Sequence, residues 1–182
     1  PIALNTPFTA ATIYFLPNAN VDADTSFQYV VRDQANATSG PATVSIDIVP
    51  VNDAPSAGSG LGSGNNTDAY IPVSLAGTDL EDGNVAKVAI ASLPSNGTLY
   101  ASTSLTPPAL AIGDVVNGTT VYFVRTPGFN GTADSFTFKA VDSAGLQSTN
   151  TGTANITITI LNTAPDAVNV EATGDEDAAS IT

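Results

Sequence analysis

The chain has no cysteine, histidine, methionine or tryptophan, and only four basic residues among 182. Each absence removes a class of chemistry. Without histidine or cysteine there is no Ser–His or Cys–His nucleophile pair, and zinc loses its usual nitrogen and sulfur ligands. Zero cysteine also means that no disulfide supports the fold, a pattern that suits an exported protein but fits other compartments as well. Arg32, Lys87, Arg125 and Lys139 stand against 17 acidic residues, for a net charge of −13. So negative a surface has no counterion-release drive towards nucleic acid or anionic lipid. No apolar run approaches the roughly 20 residues that cross a bilayer, so no membrane insertion is expected of this segment. No basic-then-apolar leader opens it.

What the chain does have is alternation. Residues 120–165 read TVYFVRTPGFNGTADSFTFKAVDSAGLQSTNTGTANITITILNTAP. Phe136, Phe138 and Ala140 alternate with Thr137 and Lys139, and Ile156, Ile158 and Ile160 with Thr157 and Thr159. A period of two in β-branched and aromatic residues predicts half-buried antiparallel strands at 121–125, 135–141 and 154–161. Turn chemistry separates them at Pro127-Gly128, Asn130-Gly131 and Asp142 to Gly145. At 42% hydrophobic residues the chain can fill a core.

The same block stands earlier, at 12–55: TIYFLPNANVDADTSFQYVVRDQANATSGPATVSIDIVPVNDAP. Tyr14 matches Tyr122 at a shift of 108, Phe27 matches Phe136 and Asp33 matches Asp142 at 109, and Pro55 matches Pro165 at 110. The drift falls in loops, where insertions are tolerated. An internal repeat of about one small domain follows. It divides the chain into the C-terminal half of one repeat (1–52), a complete repeat (53–163) and the start of a third (164–182). In the complete repeat, further strands are expected at 70–76, 85–91, 98–101 and 109–112. The Gly- and Ser-rich stretch 56–66 should form a broken or bulged first strand. Some seven short strands in roughly 110 residues predict an all-β, Greek-key antiparallel β-sandwich in tandem repeats.

The frame GFNGTADSFTFKAVDSAGLQS … ITITILNTAP, the VNDAP junction, TDLEDG and GDEDA resemble bacterial cadherin-like and immunoglobulin-like tandem repeats of large extracellular adhesins and surface fibres. The resemblance covers essentially the whole chain. It implies an extracellular, cell-surface sandwich repeated many times, with calcium at the joints and neighbouring repeats, or identical chains in a fibre, as partners. The pattern is incomplete here. Thr163 stands at the second junction where the first has Asp53, and Asp175-Glu176-Asp177 align with Asn65-Asn66-Thr67.

Calcium takes 6–8 oxygen ligands, and three clusters offer them. These are Asp79, Glu81 and Asp82; the turn residue Asp142 with its counterpart Asp33; and Asp53 with Asn52 on one side of a joint, Asp166, Asp175, Glu176 and Asp177 on the other. The competing reading is that Asp and Asn in such turns bond their own backbone. Paired carboxylates also serve glycoside hydrolysis, but these lie in polar, Gly-flanked turns without tryptophan platforms, so no enzyme activity is expected. Six Asn-x-Ser/Thr sequons, at Asn36, Asn65, Asn96, Asn117, Asn130 and Asn155, read first as turn chemistry in a Thr-rich chain.

The reading that follows is a non-catalytic, stiff spacer or fibre segment with calcium-stabilised joints. Two alternatives remain. One is a self-assembling filament subunit whose copies complete each other's sheets by strand addition. The other is a carbohydrate- or protein-binding module, for which Tyr70, Tyr100 and Tyr122 are the available aromatics.

Overall fold

A computed structural model describes residues 7–9, 12–162, 164, 165 and 167. The chain divides between Asp53 and Ala54 into two compact units. Every regular element among the described residues is a strand. The expected start of a third repeat lies almost wholly outside them.

The first unit contains one hairpin, β1 (Thr25–Tyr29) and β2 (Ala42–Ile46), paired antiparallel with Phe27 opposite Val44. Phe27, Val44 and Ile46 share its inner face and are half-buried. The block at 12–15, counterpart of a predicted strand, is not one: Tyr14 is 92% exposed and Leu16 90%. The reason is local. Its counterpart in the second unit is held on both edges by other strands, and among the described residues none stands beside 12–15. A strand without a ladder partner has nothing to offset its conformational entropy.

The second unit is a single curled sheet. Its strands are β3 (Ser56–Asn65), β4 (Ile71–Asp79), β5 (Gly83–Asn84), β6 (Lys87–Ile90), β7 (Gly97–Tyr100), β8 (Val115–Val116), β9 (Thr120–Arg125), β10 (Ala133–Val141) and β11 (Gly152–Thr159). They run in the order β7-β9-β4-β3-β11-β10-β6-β8, with β5 on β4. The turn after β8 comes back to the far half of the sheet, where Leu75 N donates to Thr119 O at 2.7 Å. The two halves thereby face each other across one core, giving the all-β sandwich. Ile71, Val73, Val121 and Phe123 line it from one half, and Val88, Ile90, Phe136, Phe138, Ile156 and Ile158 from the other. Phe123, Phe136 and Phe138 are essentially sealed from solvent. Each such side chain contributes about 1.5–3 kcal/mol of transfer free energy.

Two details refine the expected architecture. The pairing is antiparallel throughout the described sheet except between β3 and β11, which run parallel with Gly60 beside Ala154 and Gly62 beside Ile156. Strand β3 is bulged between Ala57 and Gly60, as its composition predicts. Its glycines are there for close approach: a Cβ on Gly60 would lie 2.6 Å from Leu75 Cδ2 and 2.8 Å from Ala154 Cβ. Neighbouring side chains fill the space that β3 leaves. The strand expected at 109–112, by contrast, does not form. That stretch is a loop, with Leu110 N donating to Leu99 O and Ala111 N to Asp114 Oδ2. Pro107 and Pro108 remove two ladder donors just before it, and the strand starts later, at Val115.

One feature of the fold occurs twice. In the second unit the β10–β11 hairpin sets Phe136 opposite Ala154; at the shifts of 109 and 110 this is the same register as Phe27 opposite Val44. The turns match bond for bond. Asp142 N donates to Leu146 O and Leu146 N to Asp142 Oδ1, as Asp33 N does to Ala37 O and Ala37 N to Asp33 Oδ1. Ser148 Oγ accepts from Ala140 N, as Ser39 Oγ accepts from Val31 N. The turn requires a left-handed residue, supplied by Asn36 (φ 67°) in one and Gly145 (φ 92°) in the other.

Candidate functional site

Strand β4 carries its alternation to Asp79, the last residue, which is 9% exposed. The chain then turns sharply into β5, and Asp79 organises the turn. Its Oδ1 accepts from Glu81 N at 3.0 Å and from Asp82 N at 2.9 Å. Its Oδ2 is buried with no hydrogen-bond partner among the described residues. A buried carboxylate oxygen in that state is costly unless a cation or donor reaches it.

Asp82 links this turn to the one after β10. Ser143 N donates to Asp82 Oδ2 at 2.6 Å and Ser143 Oγ to Asp82 Oδ1 at 3.0 Å. Beside it Asp142 is buried, 1% exposed, with Oδ1 taking Leu146 N at 2.7 Å. A shallow depression is lined by Asp82, Asn84, Ala86, Lys87, Asp142 and Ser143. The sandwich thus brings the turn at 79–82 and Asp142, about 60 residues apart in sequence, to one pole, while Asp33 belongs to the first unit. It also places Lys87 there, a residue that composition singles out only as one of four cations.

The expected ligands divide accordingly. Asp79, Glu81, Asp82 and Asp142 share the pole, with Glu81 and Asp82 exposed. Asp142 and Asp33 do what the competing reading requires, each capping its own turn. Asp53 is exposed at the boundary between the units, with Asn52 Nδ2 donating to its carbonyl at 3.2 Å. Asp166, Asp175, Glu176 and Asp177 lie outside the described residues. Among the described residues, no three His, Cys, Asp or Glu side chains form a group able to hold a metal ion by themselves. A cation at this pole would therefore use Asp79 Oδ2 with a minority of carboxylates, the balance coming from backbone carbonyls and water, which calcium accepts. The three tyrosines also converge, on the outer face of β4, β7 and β9: Tyr100 pairs with Tyr122, and Tyr70 meets Tyr122 edge to face at 5.3 Å.

No protein-family model matches the chain. It is 34% identical over 143 residues to integrin beta-like protein A of Dictyostelium discoideum, a match covering 75% of this chain and 7% of that protein. It is also 29% identical over 101 residues to integrin beta-like protein B of the same organism, covering 56% and 5% respectively. The chain spans less than a tenth of the length of either relative. No helix among the described residues is long and apolar enough to cross a membrane. By sequence, then, this β-sandwich is similar to short stretches of very long proteins named for integrin β.

Proposed function

We propose that the chain is a non-catalytic segment of a large extracellular, adhesion-type surface protein, built from tandem cadherin- or immunoglobulin-like sandwiches. Its work is mechanical: to set distance and stiffness between a cell and what it adheres to. The observation that carries this reading is the hairpin built twice with the same register and the same Asp-capped turn, in a chain whose relatives bear an integrin-type name. Calcium belongs to the proposal as the ion that stiffens the acidic pole. Asp79 supplies the open oxygen there, with Asp82, Glu81 and the 142–145 turn around it. Modules of this open kind bind with Kd of about 10⁻⁴–10⁻³ M, matched to extracellular calcium.

A second reading, a filament whose copies add strands to one another, is favoured by the first unit. Both outer edges of its hairpin lack a strand partner among the described residues, and Tyr29, Val30 and Val31 are exposed. One experiment addresses both. Small-angle scattering of the chain with millimolar calcium and with EDTA should give the mass of a single chain and a profile that broadens when calcium is removed. An unchanged profile removes calcium from the account, and a mass that grows with concentration replaces the spacer by the filament.

A further inference from the structure

We propose that the outer face of β7, β9 and β4 binds a neutral carbohydrate, with Tyr100, Tyr122 and Tyr70 as its platform. On β9, Val121 and Phe123 are buried in the core, so Tyr122 between them points outward. Strand register sets Tyr100 directly across from it on β7 and Pro72 directly across on β4. Tyr70, just before β4, closes the corner: its ring stands at 88° to that of Tyr122, with centroids 5.3 Å apart. Three of the five tyrosines of the chain are thus gathered on one small patch.

All three rings are half-buried. They are held in place by the sheet and by each other, so little side-chain entropy remains to be lost when a ligand stacks on them. The second relevant property is charge. The chain carries 17 acidic residues, yet the outward positions of β7 and β9, and those of β4 across from them, are Thr98, Tyr100, Thr120, Tyr122, Val124, Pro72 and Ser74, none of them ionisable near neutral pH. An uncharged patch on so acidic a molecule is poorly matched to cationic peptides, which the rest of the surface would attract better, and the net charge repels polyanions. Rigid aromatic faces rimmed by hydroxyls suit a ligand of the same mixed character, with an apolar face of C–H groups and a polar edge. A pyranose ring without ionised groups is that ligand.

The test uses the whole chain and four neutral probes, cellohexaose, mannohexaose, xylohexaose and chitohexaose. Heparin and a proline-rich peptide stand as controls, with binding followed by calorimetry. At least one neutral oligosaccharide should bind at millimolar concentration, and Tyr100→Ala should weaken it by about tenfold or more. Tyr100 sits on the edge strand, so this variant should stay folded, with an unchanged far-ultraviolet circular dichroism spectrum; Tyr122→Phe, which keeps the ring, should keep most of the affinity. No binding to any of the four sugars, undiminished binding by the Tyr100→Ala variant, or binding of heparin or the peptide alone would overturn the assignment.

Discussion

The chain contains the same hairpin in two settings. In the first unit, β1 and β2 pair with each other and with no other strand among the described residues, and the residues around them stay largely in contact with solvent. In the second, β10 and β11 keep that register but are flanked by β6 and β3, and Phe136, Phe138, Ala154, Ile156 and Ile158 are sealed in the core. Register is a local property, set by alternation and by the Asp-capped turn. Burial is not local: it depends on whether other strands cover the face. The two hairpins thus separate what a turn specifies from what a core stabilises.

Substitution at equivalent positions should make that separation measurable. The largest contrast is expected between Phe136→Ala and Phe27→Ala. Phe136 is 2% exposed in the core, so its truncation should cost about 3–5 kcal/mol in urea unfolding. Phe27 is half-buried on a hairpin that no other described strand covers, and its truncation should cost roughly 1 kcal/mol or less. Similar losses at both positions would mean that the first hairpin is covered in solution.

A sharper probe is Gly152→Ala. A Cβ at Gly152 would lie 2.0 Å from Gly58 O, backbone that cannot step aside, and 2.8 Å from the Phe138 ring. The equivalent position in the first unit, opposite Tyr29 as Gly152 is opposite Phe138, already carries an alanine, Ala42. Among the described residues no strand equivalent to β3 lies against it, so none of them demands glycine there. Gly152→Ala should therefore cost about 1–3 kcal/mol, whereas Ala42→Gly should change stability by less than about 1 kcal/mol. A benign Gly152→Ala variant would argue against the parallel β3–β11 pairing.

The smallest contrast concerns the turns. Asp142→Ala removes a buried carboxylate that accepts from Leu146 N and should cost about 1–3 kcal/mol. Asp33→Ala removes the same acceptor from Ala37 N in water, where solvent replaces it, and should cost well under about 1 kcal/mol. Amide hydrogen exchange at Leu146 and Ala37 reads both directly. Equal protection of the two amides would show that burial adds nothing to the cap.

Much of the second unit was legible from its residues. Three strands of the organising block, the bulge in the Gly-rich strand and the turns at Pro127-Gly128 and Asp142 to Gly145 all follow from period and turn chemistry, whereas no turn forms at Asn130-Gly131, because the chain has already reversed at Pro127-Gly128. The misreadings have physical causes. The stretch 109–112 has strand-like residues but lies just after two prolines and before a turn at Gly113 (φ 95°). The stretch 12–15 has strand-like residues and, among the described residues, no strand to pair with. The Asp142 carboxylate caps its own turn, as its spacing to Gly145 indicates.

What the sequence by itself determined is therefore everything that depends on near neighbours: strand periodicity, hairpin register, the capped turns and the absence of thiol and imidazole side chains. Only the tertiary structure decided which alternating faces are buried, that β3 lies parallel to β11, that Asp79 keeps a buried oxygen without a hydrogen-bond partner among the described residues, and that Tyr70, Tyr100 and Tyr122 meet on one face. Those outcomes rest on contacts between residues dozens of positions apart. A period of two states that a strand has two faces, but it holds no information on what will stand opposite either of them.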